Sequence, residues 1–114
     1  MTGSVSEILV AAADLLEKPG AWTQGALALG AEGEHVNVDS SSAVCFCVVG
    51  AIRRASGYER TPEKTIPVRE ALCALLGLAN DGVALVAWND NPKRTPAEVV
   101  AALRQAAAKA RVGG

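Results

Sequence analysis

Residues 43–52, Ala-Val-Cys-Phe-Cys-Val-Val-Gly-Ala-Ile, form the longest apolar run in the chain. Ala43 to Val49 is apolar on all sides, as expected of a segment buried in the middle of the fold. It is too short to cross a bilayer, which takes roughly 20 residues. Asp39, Ser40, Ser41 and Ser42 precede it and supply good helix N-caps. Gly50-Ala-Ile-Arg-Arg-Ala continues it, Arg53 and Arg54 mark its emergence into water, and Gly57 offers a C-terminal cap. These signals favour a helix over 41–56. Val44 to Val49 also suits a buried strand, and periodicity does not separate the two over so short a run.

The flanking segments read more simply. Ser4-Val-Ser-Glu7 has capping-box spacing, and Val5, Ile8, Leu9, Ala12, Leu15 and Leu16 recur at three- and four-residue steps. A helix over 5–18 is predicted, stopped by Pro19-Gly20. Val68, Ala71, Leu72, Leu75, Leu76 and Ala79 predict another over 67–79, because Pro67 argues against an uninterrupted helix from 62. Thr95-Pro96-Ala97-Glu98 combines N-cap, first-turn proline and capping-box glutamate, which predicts a helix over 96–111. Val83 to Trp88 suits a strand or a helical turn. In 21–39, alternating Ala26, Ala28, Val36 and Val38 with Gly30 and Gly33 suggest a small β-hairpin or an ordered loop. The expected fold is mainly α with a minor β element: four helices in a single domain over 1–114, arranged around the buried 41–56 helix.

Composition narrows the function. Half the 114 residues are apolar and the formal net charge is −1, which excludes a disordered tail. That balance, with aromatics at only 4%, argues against a nucleic-acid binder. No membrane segment and no basic leader is found, and the odd count of three cysteines does not suit a disulfide framework. A cytoplasmic location is expected. Charge is uneven: residues 1–39 carry six acids and one base, residues 90–114 five bases and two acids. The simplest consequence is that the terminal helices lie side by side; a head-to-tail pairing of protomers is the alternative.

Several groupings could carry chemistry. Cys45, Cys47, Cys73 and His35 are potential zinc ligands, provided 43–49 is a strand that turns Cys45 and Cys47 to one face. Cys47 with His35, oriented by Asn89 or Asp90, would give an activated thiol for a small hydrolase or transferase. Burial inside an apolar helix would work against it by raising the thiol pKa. Trp22-Thr-Gln-Gly25 and Trp88-Asn-Asp-Asn-Pro92 pair the only two tryptophans with turn-forming polar residues. Each Trp would anchor its loop to the core. Asn89 and Asp90 would turn the chain toward the Thr95 cap. If the loops meet, Trp22, Gln24, Trp88, Asn89 and Asp90 form one binding site. The leading expectation is a non-catalytic binding or interaction module that needs no cofactor. Its partner would be a protein or a small molecule, a second copy of the chain included.

Three segments together resemble a family of small bacterial and phage-borne proteins known as a domain of unknown function. They are Trp22-Thr-Gln-Gly-Ala26, Ala43-Val44 with Cys47-Val-Val-Gly-Ala-Ile52 and Arg54-Ala55, and Trp88-Asn-Asp90 with Pro92, Arg94-Thr95 and Glu98-Val-Val100. The resemblance covers about 20–110 and implies that Trp22, Cys47, Gly50, Trp88, Asn89 and Asp90 belong to a shared pattern. It implies no activity. An Arg-Asp pair expected after Gly25 is replaced here by Ala-Leu-Ala-Leu, and His35 lies outside the pattern.

Overall fold

The computed structural model describes residues 4–57 and 62–113. Among them, five helices and two strands run in the order α1 (Val5–Glu17), β1 (Ala28–Gly30), β2 (Ala43–Phe46), α2 (Val48–Ala55), α3 (Pro62–Leu76), α4 (Gly82–Asn89) and α5 (Pro96–Gly113). The molecule is mainly helical with a small antiparallel sheet, as expected.

Helix α1 starts where its capping box places it. The Glu7 backbone N–H donates to Ser4 Oγ and the Ser4 N–H donates to Glu7 Oε1, each at 3.1 Å. Helix α5 starts the same way, with the Thr95 N–H donating to Glu98 Oε1 at 2.9 Å and the Glu98 N–H to Thr95 Oγ1 at 3.2 Å. The two helices pack together. Ile8, Leu9, Ala12, Ala13 and Leu16 are buried on α1, and Val99, Ala102, Leu103, Ala106 and Ala107 on α5. Small alanines at helical spacing let the backbones approach closely. At the rim, Arg104 Nη2 reaches Asp14 Oδ1 at 3.0 Å and Glu17 Oε1 at 2.7 Å. The uneven charge is therefore met, in part, within one chain.

The apolar run departs from its prediction. Residues 43–46 are strand β2, and the helix expected over 41–56 begins only at Val48. Ala28 pairs with Phe46, Leu29 with Cys45 and Gly30 with Ala43, so Val44 is an extra residue in a bulge. Trp22 bridges Phe46 on the other side of β2. The ladder decides what periodicity could not: residues 28–30 supply a hydrogen-bonding edge to a run that is equally apolar as helix or strand. Ser40 and Ser42 bond each other ahead of β2 rather than capping a helix. The hairpin suggested within 21–39 is present in reduced form. Leu29 bridges His35, and the Gly30 N–H donates to the Glu34 carbonyl at 2.8 Å. Strand β1 nevertheless takes most of its pairing from β2.

Helix α2 is short but central, packing on α1, α3 and α4. Val48, Gly50, Ala51 and Ile52 are buried in it. A Cβ on Gly50 would fall on the backbone carbonyl oxygen of Leu27, so only glycine lets the loop lie this close to the helix.

Two other boundaries differ. Helix α3 runs from Pro62 with Pro67 inside it, five residues earlier than predicted. Pro67 is on the exposed side, where water can serve the carbonyl that proline leaves without a donor. The helix then stops at Leu76 rather than 79. Gly77 takes φ +71°, its N–H donates to the Ala74 carbonyl, and the Leu78 N–H donates to the Cys73 carbonyl, which together make a Schellman cap. Val83 to Trp88 belongs to a fifth helix, α4, whose N-cap Asp81 accepts the Ala84 N–H at 2.8 Å. The predicted count of four helices is one short for that reason. No helix among the described residues is long and apolar enough to cross a membrane.

Candidate functional site

The two tryptophan loops meet at the end of α4. The residue that joins them is Asn89, the last of that helix, which is 0% exposed. Its Oδ1 accepts from Trp22 Nε1 at 2.7 Å and from the Val48 backbone N–H at 3.0 Å. Its Nδ2 donates to the Thr23 carbonyl at 3.1 Å and to Asp90 Oδ1 at 2.9 Å. An amide has two donor hydrogens and two acceptor lone pairs, and here all four are used.

Each bond answers a local need. Val48 opens α2, so its N–H has no partner within the helix. Asn89 supplies one from across the fold. The adjacent cap is Cys47, whose Sγ accepts the Gly50 N–H at 3.4 Å. At the other end, α4 leaves its last carbonyls open. Gln24 Nε2 donates to the carbonyls of Asn89 at 2.9 Å and Asn91 at 2.8 Å. Asp90 Oδ1 also accepts the Gly25 N–H at 3.1 Å, where Gly25 takes φ +80°. Residues 22–25 are thus fastened to 89–91 by side-chain bonds in both directions.

Asn89 and Asp90 therefore reach across the fold instead of turning their own backbone toward Thr95. Asn91 does that work, its Oδ1 accepting the Lys93 N–H at 2.9 Å. Arg94 completes the corner: its Nε donates to the Trp88 carbonyl at 3.0 Å, and its guanidinium lies 4.1 Å from the centre of the Trp88 ring. Sequence reasoning quoted Arg94 in the shared pattern but gave it no place in the binding site. The signal available was a cation six residues after a Trp across a tight turn, a spacing legible only once the turn is known.

All five predicted binding residues, Trp22, Gln24, Trp88, Asn89 and Asp90, converge here. Their accessibility differs. Asn89 is sealed, Trp22, Trp88 and Asp90 are half-buried, and Gln24 is exposed. Among the described residues, no buried side-chain polar atom is without a partner.

The thiols do not assemble a reaction centre. Cys47 occupies the N-terminus of α2 rather than the helix interior predicted for it, but it is 2% exposed. Burial pushes its thiol up, against the lowering by the Gly50 and Val49 N–H groups. Burial likewise raises Cys73. His35 is exposed in the segment bridging β1, and no hydrogen bond joins it to Cys47. Among the described residues no three of His, Cys, Asp and Glu come together to hold a metal. The strand that a zinc site required does exist, but it ends at Phe46, so Cys47 leaves the sheet as a helix cap and Cys73 sits in α3.

Fold and corner define a small, mainly helical domain whose loops are locked by a buried asparagine amide. The chain belongs to a family described as "Family of unknown function (DUF6197)", whose model matches residues 1–109. No curated protein and no solved structure matches it.

Proposed function

We propose that the protein is a non-catalytic binding module and that its contact surface is the corner made by residues 22–25 and 88–94. One observation carries this reading: a half-buried Trp88 with Arg94 stacked on its ring, presented on loops that a saturated buried amide holds in place. Trp and Arg are the residue types that most often dominate binding energy. A surface fixed before binding loses little conformational freedom on association. Asn89 and Asp90 act here as internal supports, while Trp88, Arg94 and the exposed Gln24 and Lys93 face a partner. The buried Cys47 and the separate His35 speak against the thiol-enzyme alternative.

The test places a photocrosslinking amino acid at Lys93 and, as a control, at Lys109 on α5, with the full chain expressed in its native cell. A defined adduct at position 93 that is absent at 109 and lost with Arg94→Ala supports the reading. An adduct of twice the chain mass identifies the partner as a second copy. No adduct at 93, or the same adducts at both positions, overturns it.

A further inference from the structure

The cleft between α2, α3 and α4 lies apart from that corner and shares no residue with it. Its cavity measures about 60 Å³. Val49, Ile52 and Leu85 line it with apolar surface, Arg53, Thr65 and Arg69 supply its polar groups, and Gly82, opening α4, adds no side chain to narrow it. Arg69 Nε donates to Asn80 Oδ1 at 3.1 Å, which fixes that side chain. Asn80 in turn donates to Glu70 Oε2 at 3.2 Å. Among the described residues no carboxylate lies within ion-pair distance of Arg53 or Arg69, although Arg94 and Arg104 both have such partners. Two guanidinium groups thus border one apolar cavity with no direct carboxylate partner among the described residues.

We propose that this cleft binds a short aliphatic carboxylate. A guanidinium matches a carboxylate in two parallel hydrogen bonds, and Thr65 offers a hydroxyl beside it. The apolar lining receives the alkyl tail. A water-sized sphere needs roughly 15 Å³ of such space, so the cavity holds about four, the size of a three- or four-carbon acid. Inorganic phosphate lacks a tail, and its remaining oxygens would be desolvated against Val49, Ile52 and Leu85 without partners.

Titration of the full chain with butyrate at constant ionic strength, followed by two-dimensional amide NMR, tests this. Saturable shifts at Val49, Ile52, Thr65 and Leu85 are expected. Binding should weaken about tenfold or more in Arg53→Gln, the loss of a charge-assisted pair. Arg53 is exposed, so this variant should keep the native spectrum. Arg69→Gln should weaken binding in the same direction. Absence of saturable shifts, unchanged affinity in Arg53→Gln, or phosphate binding as tightly as butyrate overturns the proposal. None of these outcomes bears on the Trp88 corner.

Discussion

The α1–α5 seam and the Asn89 corner are held together by opposite means. Along the seam, Ile8, Leu9, Leu16, Val99 and Leu103 are removed from water, and the ion pairs of Arg104 with Asp14 and Glu17 sit at an exposed rim. Such a contact tolerates small slips, because apolar burial has no direction. At the corner, one amide joins Trp22, Thr23, Val48 and Asp90 through four directional bonds. Burial amplifies the cost of breaking it, since a stranded donor or acceptor has no water to turn to. The seam supplies bulk stability; the corner specifies how the loops and α2 meet.

Substitution at the two places should separate these roles. Asn89→Ala leaves the Val48 N–H and the Trp22 Nε1–H without their acceptor, and at about 1–3 kcal/mol for each stranded group the expected loss is about 4 kcal/mol. Leu103→Ala, which opens a cavity in the seam, should cost about 3 kcal/mol. Urea midpoints measure both. Equal or smaller loss for Asn89→Ala would mean that the corner is not the more sensitive region.

The alkaline limb of stability should report the buried cap. Cys47 is raised above the ordinary thiol value of 9.0 by burial, so the unfolded chain loses that proton first. The stabilisation from keeping the thiol neutral is fully present below pH 9.0 and is lost as pH rises through the higher folded value. Cys47→Ser retains a cap and removes the titration, so its midpoint should decline less above that pH. Identical slopes in the two proteins would contradict this. The smallest effect is expected at the seam's rim. Arg104→Gln should cost less than about 1 kcal/mol, because its side chain is 38% exposed and its partners 63%. A larger shift in melting temperature than Leu103→Ala gives would reverse the ranking of apolar and ionic contributions there.

Much of the seam was legible from the chain alone. Ser4 with Glu7, and Thr95 with Glu98, place the starts of α1 and α5 to the residue, because capping is a contact between neighbours three apart. The apolar stripes then turn both helices inward. Within 43–49 the expected burial holds for Phe46, Cys47 and Val48 but not for Val44, which the bulge leaves 51% exposed, and the strand was not legible because its partner at 28–30 lies in a segment with weak pattern of its own. Gly77 was not read as a C-terminal cap, and Asp81 was read as part of an Asn80-Asp81-Gly82 turn rather than as an N-cap, which is why α3 was drawn too long and α4 left open. At the corner, the pairing of tryptophans with polar turn residues pointed to the correct neighbourhood. It could not tell which of those residues faces inward.

The sequence by itself determined which segments are helical at the two ends, that the apolar run enters the core, as it does from Phe46 onward, and that two tryptophan loops carry most of the polar turn chemistry. These follow from interactions between residues a few positions apart. Tertiary structure alone decided that the apolar run divides at Phe46 into strand and helix, that Gly50 meets the Leu27 carbonyl, and that Asn89 spends its amide on Trp22, Thr23, Val48 and Asp90. The reason is physical. A hydrogen-bonding group is satisfied by whatever the fold brings within about 3 Å of it, and the sequence distance to that partner leaves no periodic trace.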